Sequence, residues 1–335
     1  MDRVDLSVAP GRLRRWLQWG IAGLLLFSGI RYTLWVFHFR YGTPYVPRPA
    51  SVEAFLPISA LVALKAWVAT GVFPTVHPAG LAILLAVLLT AVVFHRGLCS
   101  WACPIGLLEE YLGTLGIRGL GRKVTPPKWL DYPLRAIKYL LLAFFLKVIL
   151  LDMSGRAAWA FLQSPYNKVA AVKMLDFWLH PGPWTIGIVG FLVVGSLVVQ
   201  NLWCRYLCPY GALLSVIGFF SPATVNVARD EAACDDCGLC TQTCPNYVDV
   251  QSAGEVTALE CTRCAQCIET CPEDALDLRA GPVEVSPRAV GLGIIGIVFL
   301  VVAVAMLTGH WQSSLTYADW ARLVPAADQI MHTPY

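Results

Sequence analysis

Two stretches in the C-terminal third of the chain decide what it holds: CDDCGLCTQTCP at residues 234–245 and CTRCAQCIETCP at residues 261–272. Both space four cysteines as C-x2-C-x2-C-x3-C and follow the last one with proline. In proteins with this spacing, three closely spaced thiolates bind one cubane iron–sulfur cluster and the distant fourth thiolate binds the other cluster. The sequence therefore predicts two [4Fe–4S] clusters.

The crossed arrangement also assigns the eight ligands. Cluster one takes Cys234, Cys237, Cys240 and Cys271, and cluster two takes Cys261, Cys264, Cys267 and Cys244. A disulfide framework is typical of a small secreted domain, and structural zinc usually pairs two C-x2-C units across a longer gap. The tandem spacing argues against both alternatives. It predicts a small α+β double-cubane domain of the bacterial ferredoxin type over residues 226–282.

The other four of the twelve cysteines form two matching pairs. These are Cys99-x3-Cys103-Pro104 and Cys204-x3-Cys208-Pro209, each at the end of a long apolar stretch. Cysteines four residues apart share one side of a helical turn, so two facing pairs would offer four thiolates to a further iron–sulfur cluster. Three alternatives remain: packing against the ferredoxin-like domain, a redox dithiol, or small buried core residues.

The composition places these motifs in a membrane protein. The chain of 335 residues is 57% hydrophobic and 14% charged, and its mean hydropathy is +0.60. A helical span needs about 20 mostly apolar residues. Five spans are predicted, at about 16–38, 79–96, 133–152, 184–203 and 289–308. The first is too long and too aromatic for a signal peptide, so we expect an all-α polytopic bundle that carries the ferredoxin-like domain.

Basic residues predict how this bundle is oriented, because they concentrate on the cytoplasmic side. Four arginines precede the first span, seven basic residues lie from Arg96 to Lys138 in and around the loop between the second and third spans, and only Arg322 follows the fifth. The N-terminus and the ferredoxin-like domain are therefore expected in the cytoplasm, and the tail over 309–335 outside it. No basic patch interleaved with aromatic residues is present, so a nucleic-acid partner is not expected.

The membrane part shows signs of an internal duplication. Repeat one covers residues 1–116 and repeat two covers 133–218, with a cytoplasmic loop at 117–132 and the fifth span within 287–308. Each repeat has a proline followed eight residues later by lysine, then a His-Pro step, a span and a C-x3-C-P motif. The segments 53–72 and 158–178 are too polar for full spans, which favours re-entrant or interfacial helices.

Charged residues near the outer leaflet are candidates for a quinone site. Arg31 and Lys147 occupy equivalent positions in the two repeats, and basic residues inside apolar spans are costly and often functional. A quinol needs a proton acceptor near a membrane face, so Lys147 and Arg31 are predicted as its catalytic residues. Other candidates at the same level are Glu53, Lys65, His77, Lys173 and His180. The alternative for each basic residue is snorkelling to the interface.

Two C-x3-C-P motifs at span ends, followed by a double-cubane segment, resemble the NapH/MauN/NosR-type polyferredoxin membrane proteins. The resemblance covers about residues 14–280. It implies a bacterial cytoplasmic (inner) membrane protein that serves as the membrane component of a quinol dehydrogenase. It further implies electron transfer between the quinone pool, or a cytoplasmic donor, and a periplasmic oxidoreductase, ferredoxin or cytochrome subunit. The matching positions are Cys99, Cys103, Cys204 and Cys208, together with the eight ferredoxin cysteines.

The chain also departs from this pattern. NapH-type chains usually stop after the ferredoxin segment, whereas this one adds a fifth span and a tail containing Trp311, Tyr317, Trp320 and Tyr335. The tail is expected either to dock a partner or to form an interfacial aromatic belt. Besides a quinol dehydrogenase subunit, the sequence leaves two alternatives open. One is an assembly or maturation factor that resembles CcoG, and the other is a redox-sensing regulator with labile clusters.

Overall fold

The computed structural model describes residues 11–331 and is mainly helical, with one small sheet. Its α-helices are α1 Arg12–Tyr41, α2 Pro57–Thr70, α3 Pro78–Phe94, α4 Gly97–Trp101, α5 Pro104–Leu120, α6 Lys128–Leu146, α7 Gly155–Gln163, α8 Pro165–Lys168, α9 Ala170–Leu179, α10 Pro183–Val198, α11 Pro209–Phe220, α12 Leu239–Thr243, α13 Gln266–Thr270, α14 Pro287–Leu307 and α15 Tyr317–Leu323. Residues Ala50–Phe55 and Ala327–Gln329 form 3₁₀ turns, and Lys147–Asp152 and Trp203–Leu207 form π-helical turns.

Two helices are long and apolar enough to cross a bilayer, judged by length and composition. They are α1 and α14, which confirms two of the predicted spans as suitable helices. A third span results if α9 and α10, which are bent by 77° at their junction, are counted as one. Helix α3 has 17 residues, and α6 contains Pro133 and passes into a π-helical turn. The five-span arrangement therefore stays a prediction.

Proline and glycine set the ends of several helices. Pro57, Pro104 and Pro209 occupy the first helical positions of α2, α5 and α11, where the missing N–H has no intrahelical partner to lose. Because proline is well tolerated in a first helical turn, the prolines after Cys103 and Cys208 predict helices there, and α5 and α11 confirm this prediction. Helix α5 ends at left-handed Gly121, a conformation that glycine adopts without strain.

The described chain separates into two compact units. The first combines the residues up to Ala22 with Leu88–Leu142 and Gly187–Ile297, and so contains every cysteine. The second combines Gly23–Val87, Ala143–Ile186 and the residues from Val298.

A four-stranded antiparallel sheet with the order β2-β1-β3-β4 forms the frame of the ferredoxin-like domain in the first unit. Its strands are β1 Asn226–Arg229, β2 Glu255–Val256, β3 Leu276–Ala280 and β4 Val283–Glu284. Val227 lies opposite Leu278 in β3 and opposite Val256 in β2. These side chains are buried in a core that includes Cys240 and Cys267, so the sheet supports the cysteine loops.

The second unit packs its short helices around small apolar side chains. Val62, Ala63 and Ala66 of α2 pack with Ala158 and Leu162 of α7. A separate aromatic cluster contains Trp35 of α1 and Trp320 of α15, whose ring centroids are 5.1 Å apart in an edge-to-face arrangement. The C-terminal tail is thereby part of the core of this unit.

Candidate iron–sulfur centres

The two long cysteine runs line two separate cavities. One is lined by the predicted cluster-one ligands Cys234, Cys237, Cys240 and Cys271. The other is lined by the predicted cluster-two ligands Cys244, Cys261, Cys264 and Cys267. Each cavity combines three cysteines of one run with the last cysteine of the other run, which is the crossed arrangement of two-cluster ferredoxins.

The backbone of both loops has the same unusual shape. Asp236 and Gly238 have φ angles of 58° and 73°, and their counterparts Arg263 and Ala265 have φ angles of 53° and 63°. Three of these four are residues for which a left-handed backbone is strained, and such strain persists where a functional site requires it. In the second loop, Gln266 donates its backbone N–H to the sulfur of Cys264.

The chemistry of the thiols fits a cubane cluster better than a single ion. All twelve cysteines are free thiols. Burial raises the pKa of Cys264 to about 12 and raises the pKa of Cys267 well above its ordinary value, so iron would replace the proton that each thiol otherwise holds. Across residues 11–331, no three or more His, Cys, Asp or Glu side chains are grouped closely enough to hold one metal ion.

The four cysteines of the C-x3-C-P motifs come together in one half-buried site. The Cys204 thiol interacts electrostatically with Cys208, Cys103 and Cys99. Burial and, to a lesser extent, the neighbouring Cys99 raise the pKa of Cys103 to about 12. One pair from each repeat is therefore present at the same place, as the hypothesis of a further cluster requires. This set is called the four-cysteine site below.

Both pairs are held in the same way at helix N-termini. Cys103 precedes α5 and Cys208 precedes α11. The sulfur of each accepts backbone N–H groups from the second and third residues of the helix that follows it. Free N–H groups and the helix dipole favour a negative charge at this end of a helix. A Cβ on Gly106 would collide with the carbonyl oxygen of Cys99, so α5 approaches the other cysteine of its pair closely.

The loop of cluster two is hydrogen-bonded to the segments that carry the four-cysteine site. Five side chains donate hydrogen bonds to backbone carbonyl oxygens of this loop. The pairs are Ser215 Oγ to Leu259 (2.9 Å), His95 Nδ1 to Cys261 (3.0 Å), Ser100 Oγ to Thr262 (2.8 Å), Trp101 Nε1 to Arg263 (3.0 Å) and Arg14 Nη1 to Cys264 (3.1 Å). Ser100 and Trp101 lie between Cys99 and Cys103 in the sequence. The same short segment therefore carries two cysteines of the four-cysteine site and contacts the cluster-two loop.

The second repeat makes a matching contact. Asn201, three residues before Cys204, has a left-handed backbone with φ 59° and donates its side-chain amide to the carbonyl oxygen of Pro245 at 3.3 Å. His95, four residues before Cys99, is likewise left-handed with φ 53°. Both motifs thus begin with a left-handed residue whose side chain holds the backbone beside a cluster-two ligand.

Buried charges surround these sites, and sequence reasoning did not assign them a role. Glu260 accepts from Arg96 Nη1 at 2.9 Å and from Lys138 Nζ at 2.7 Å. Asp131 pairs with Arg205 at 2.8 Å. Arg96 and Lys138 contributed only to the predicted orientation. The sequence does carry a signal for Arg96 and Arg205, because each lies within three residues of a cysteine of a C-x3-C-P motif.

Comparison with known proteins agrees with this geometry. Residues 226–272 match the family described as "4Fe-4S dicluster domain", and residues 76–123 and 181–224 match "4Fe-4S binding domain". The "Putative electron transport protein YccM" of Escherichia coli (strain K12) is 38% identical over 317 residues, covering 92% of this chain and 88% of the relative. The "Ferredoxin-type protein NapH" of the same strain is 28% identical over 276 residues, covering 79% of this chain and 88% of NapH.

This chain belongs to the NapH/MauN/NosR-type polyferredoxin family. The "Methylamine utilization ferredoxin-type protein MauN" of Methylorubrum extorquens is 35% identical over 178 residues, covering 50% of this chain and 54% of MauN. No solved structure matches the chain. Members of this family carry 4Fe-4S domains and serve in electron transport, so the chain is an iron–sulfur electron-transfer protein. The resemblance predicted from the motifs is confirmed.

The candidate quinone-site residues do not form one cluster of contacts. Lys147 is largely exposed and pairs with Asp152 at 2.6 Å, and Arg31 Nη2 donates to the carbonyl of Pro47 at 3.2 Å. Glu53 and His77 are brought together, with Nδ1 of His77 at 3.1 Å from the buried carboxylate. Lys65 donates to the carbonyl of Leu150 at 2.7 Å. Lys173 lies over the ring of Tyr166 and His180 is exposed.

The aromatic residues of the tail are mostly engaged within the second unit. Trp311 and Trp320 are buried, and a guanidinium carbon of Arg48 lies 5.2 Å from the Trp320 ring centroid. Tyr317 is exposed, although its hydroxyl lies 2.7 Å from Nε2 of His38. Tyr335 lies outside the described residues. The two tryptophans therefore pack in this chain and are not free for a partner.

Proposed function

We propose that this protein is the membrane-bound iron–sulfur relay of a quinol dehydrogenase, passing electrons between the quinol pool and a periplasmic redox partner. The observation that carries the proposal is the shared segment at residues 99–103, which supplies two thiols of the four-cysteine site and hydrogen-bonds the cluster-two loop. Contact between sites is what a relay needs. The clusters, when bound, supply the one-electron redox steps.

The order of the sites follows from burial and contact. Cys237 in the cluster-one cavity is exposed, whereas the cluster-two loop is enclosed by side chains from the membrane segments. The four-cysteine site is half-buried among those segments. We infer a sequence from the four-cysteine site through cluster two to cluster one, with Cys99, Cys103, Cys204 and Cys208 holding a third cluster.

The protein's own residues have defined tasks in such a relay. The left-handed loop residues aim backbone N–H groups at the thiolates, which stabilises their negative charge. His95, Ser100 and Trp101 fix the cluster-two loop by their hydrogen bonds to its carbonyls. Ser100 and Trp101 lie in α4, the short helix that also carries Cys99, so they connect the position of the loop to that of the four-cysteine site.

The quinol part of the proposal rests on the family and on proton-handling groups in the second unit. Arg31 and Lys147 stay candidates from their repeat positions. The pair Glu53–His77 has the stronger geometry. Nε2 of His77 lies 2.8 Å from the carbonyl oxygen of Asn167, which can only accept. Because Nδ1 faces the Glu53 carboxylate, both ring nitrogens of His77 lie against hydrogen-bond acceptors.

Reduction by quinol tests the proposal. Purified protein with intact clusters is mixed anaerobically with a reduced quinol analogue, and the clusters are followed by EPR spectroscopy. The proposal predicts reduction of the clusters by the analogue and its loss on addition of a quinol-site inhibitor. Clusters that stay oxidised with quinol, yet are reduced by dithionite, contradict it.

One observation favours a second candidate, in which a cytoplasmic donor feeds the relay. Cluster one has an exposed ligand, Cys237, with the exposed carboxylates of Asp235 and Asp236 beside it. A soluble electron carrier can approach such an edge. Reduction by a soluble low-potential carrier, with no reduction by quinol, is the result that this alternative predicts.

A further inference from the structure

Arg96 is a buried arginine held by two fixed contacts in the first unit. Its Nη1 pairs with Glu260 at 2.9 Å, and its Nη2 donates to the carbonyl oxygen of Cys204 at 2.9 Å. Both the arginine and Lys138, the second partner of Glu260, have side chains that are 0% exposed. The guanidinium also interacts electrostatically with Cys99, Cys204 and Cys208, so it faces three of the four cysteines.

The charges of this group do not balance. Arg96 and Lys138 together carry two positive charges, and Glu260 supplies one negative charge. A buried charge without a partner is strongly unfavourable, so this group favours a further anion nearby. With a cluster bound, the thiolates of the four-cysteine site would be in position to supply it, and Arg205 on the adjacent turn has its own partner in Asp131.

Two further details show that the guanidinium is directed toward this site. Nε of Arg96 is buried and has no hydrogen-bond partner among the described residues. A Cβ on Gly211 would lie 2.9 Å from Nη2, so glycine at this position leaves room for the guanidinium against the first turn of α11. That turn begins at Cys208. An unpaired donor at this place suits the sulfur of an anionic cluster.

We propose that Arg96 fixes an excess positive charge at the four-cysteine site and thereby raises the reduction potential of the cluster bound there. This inference rests on the third cluster of the proposed function. Accepting one electron makes the site more negative, with no bond formed and no proton moved, and a fixed cation stabilises that reduced form. The electron comes from quinol or from the neighbouring cluster. Arg96 is not a ligand of the cluster, so its effect on the potential is electrostatic.

The test is an EPR-monitored redox titration of the intact protein and four variants. Cys99→Ser identifies the centre that belongs to the four-cysteine site, because that centre disappears. Arg96→Met should lower the midpoint potential of this centre and leave the other two unchanged, and Arg96→Lys should lower it less. Lys138→Met removes the excess charge while keeping the contacts of Arg96, so it should shift the same centre in the same direction.

Arg14→Met is the matched control. Arg14 is also a buried arginine paired with a glutamate, Glu110, but it hydrogen-bonds the carbonyl of Cys264 in the cluster-two loop. Its removal should affect cluster two and spare the four-cysteine centre. If three centres are present and their potentials are unchanged in both Arg96→Met and Lys138→Met, the inference about Arg96 is wrong while the third cluster stands. If the unmodified protein has only two centres, both the third cluster and the inference about Arg96 are wrong.

Discussion

At the scale of single residues, the most informative finding is which cysteines share a cavity. The spacing of the two runs predicted which four cysteines line each cavity, because the crossed pattern depends only on local loop lengths and on how two similar loops pack. The partners of the buried charges were not predictable in this way. Arg96 and Glu260 are 164 residues apart, and nothing in either local sequence indicates that they meet.

Removing the last cysteine of each run tests the crossed assignment. Cys244→Ser should lose the signal of cluster two and keep that of cluster one, and Cys271→Ser should do the opposite, because each lines the cavity of the other run. Iron content and EPR spectra measure the outcome. If Cys244→Ser instead removed the cluster of Cys234, Cys237 and Cys240, the crossed assignment would be wrong, and each run would hold a cluster of its own.

Asp131 offers a test of how the buried charges contribute to stability. Burial alone would raise its pKa, but hydrogen bonds from Arg205, Tyr206 and Arg135 lower the pKa to about 2. A carboxylate whose pKa is lowered by folding stabilises the fold at pH values above its pKa in the unfolded chain, which is near 3.8. This contribution is lost as the pH falls toward 2.

Asp131→Asn should therefore destabilise the protein at neutral pH. Breaking a buried pair leaves Arg205 without its partner, which typically costs about 3–5 kcal/mol. The thermal unfolding midpoint in detergent measures the effect. Glu255→Gln, an exposed carboxylate in β2, is the control and should change the midpoint little. Equal midpoints for the two variants would show that the Asp131 pairs contribute nothing.

At the scale of elements, helix starts position the chemistry. The proline after each C-x3-C motif predicted a helix there, and α5 and α11 begin at those prolines. What the sequence did not indicate is the π-helical turn Trp203–Leu207, which contains Cys204. Hydrophobic periodicity cannot distinguish such a turn from an α-helix, since the difference lies in which carbonyl each N–H selects.

Two glycines of α5 give a matched test of the close approach at its N-terminus. Gly106→Ala should displace Cys99 or Cys103 and reduce the iron held at the four-cysteine site, because the added Cβ meets the backbone of Cys99. Gly119→Ala on the same helix meets nothing within 4 Å and should keep full iron. Full iron content in both variants would contradict the described packing of α5.

At the scale of the whole molecule, charge is strongly segregated along the chain. Residues 226–282 contain eleven acidic and three basic side chains, whereas the complete chain has a formal net charge of +3. Basic residues are thus concentrated in the membrane segments and their loops. This distribution is expected of an acidic redox domain in water beside a basic membrane face. Composition predicted the membrane class, but the short or bent helices leave the number of spans to experiment.

Fusions to alkaline phosphatase, which is active only outside the cytoplasm, test the predicted orientation. A fusion at the C-terminus should be active, and one inserted at Gly281, in the exposed turn between β3 and β4, should be inactive. The physical reason is the bias of basic residues toward the cytoplasmic loops. Activity in the reverse pattern would invert the topology and place the ferredoxin-like domain in the periplasm.

The most direct test of the three-site relay is the number of iron–sulfur clusters per chain. Iron, acid-labile sulfide and EPR spin are quantified in anaerobically purified protein and in Cys204→Ser. The relay predicts three [4Fe–4S] clusters in the unmodified chain and two in the variant, with clusters one and two retained. Two clusters in the unmodified chain and the same two in Cys204→Ser would contradict it.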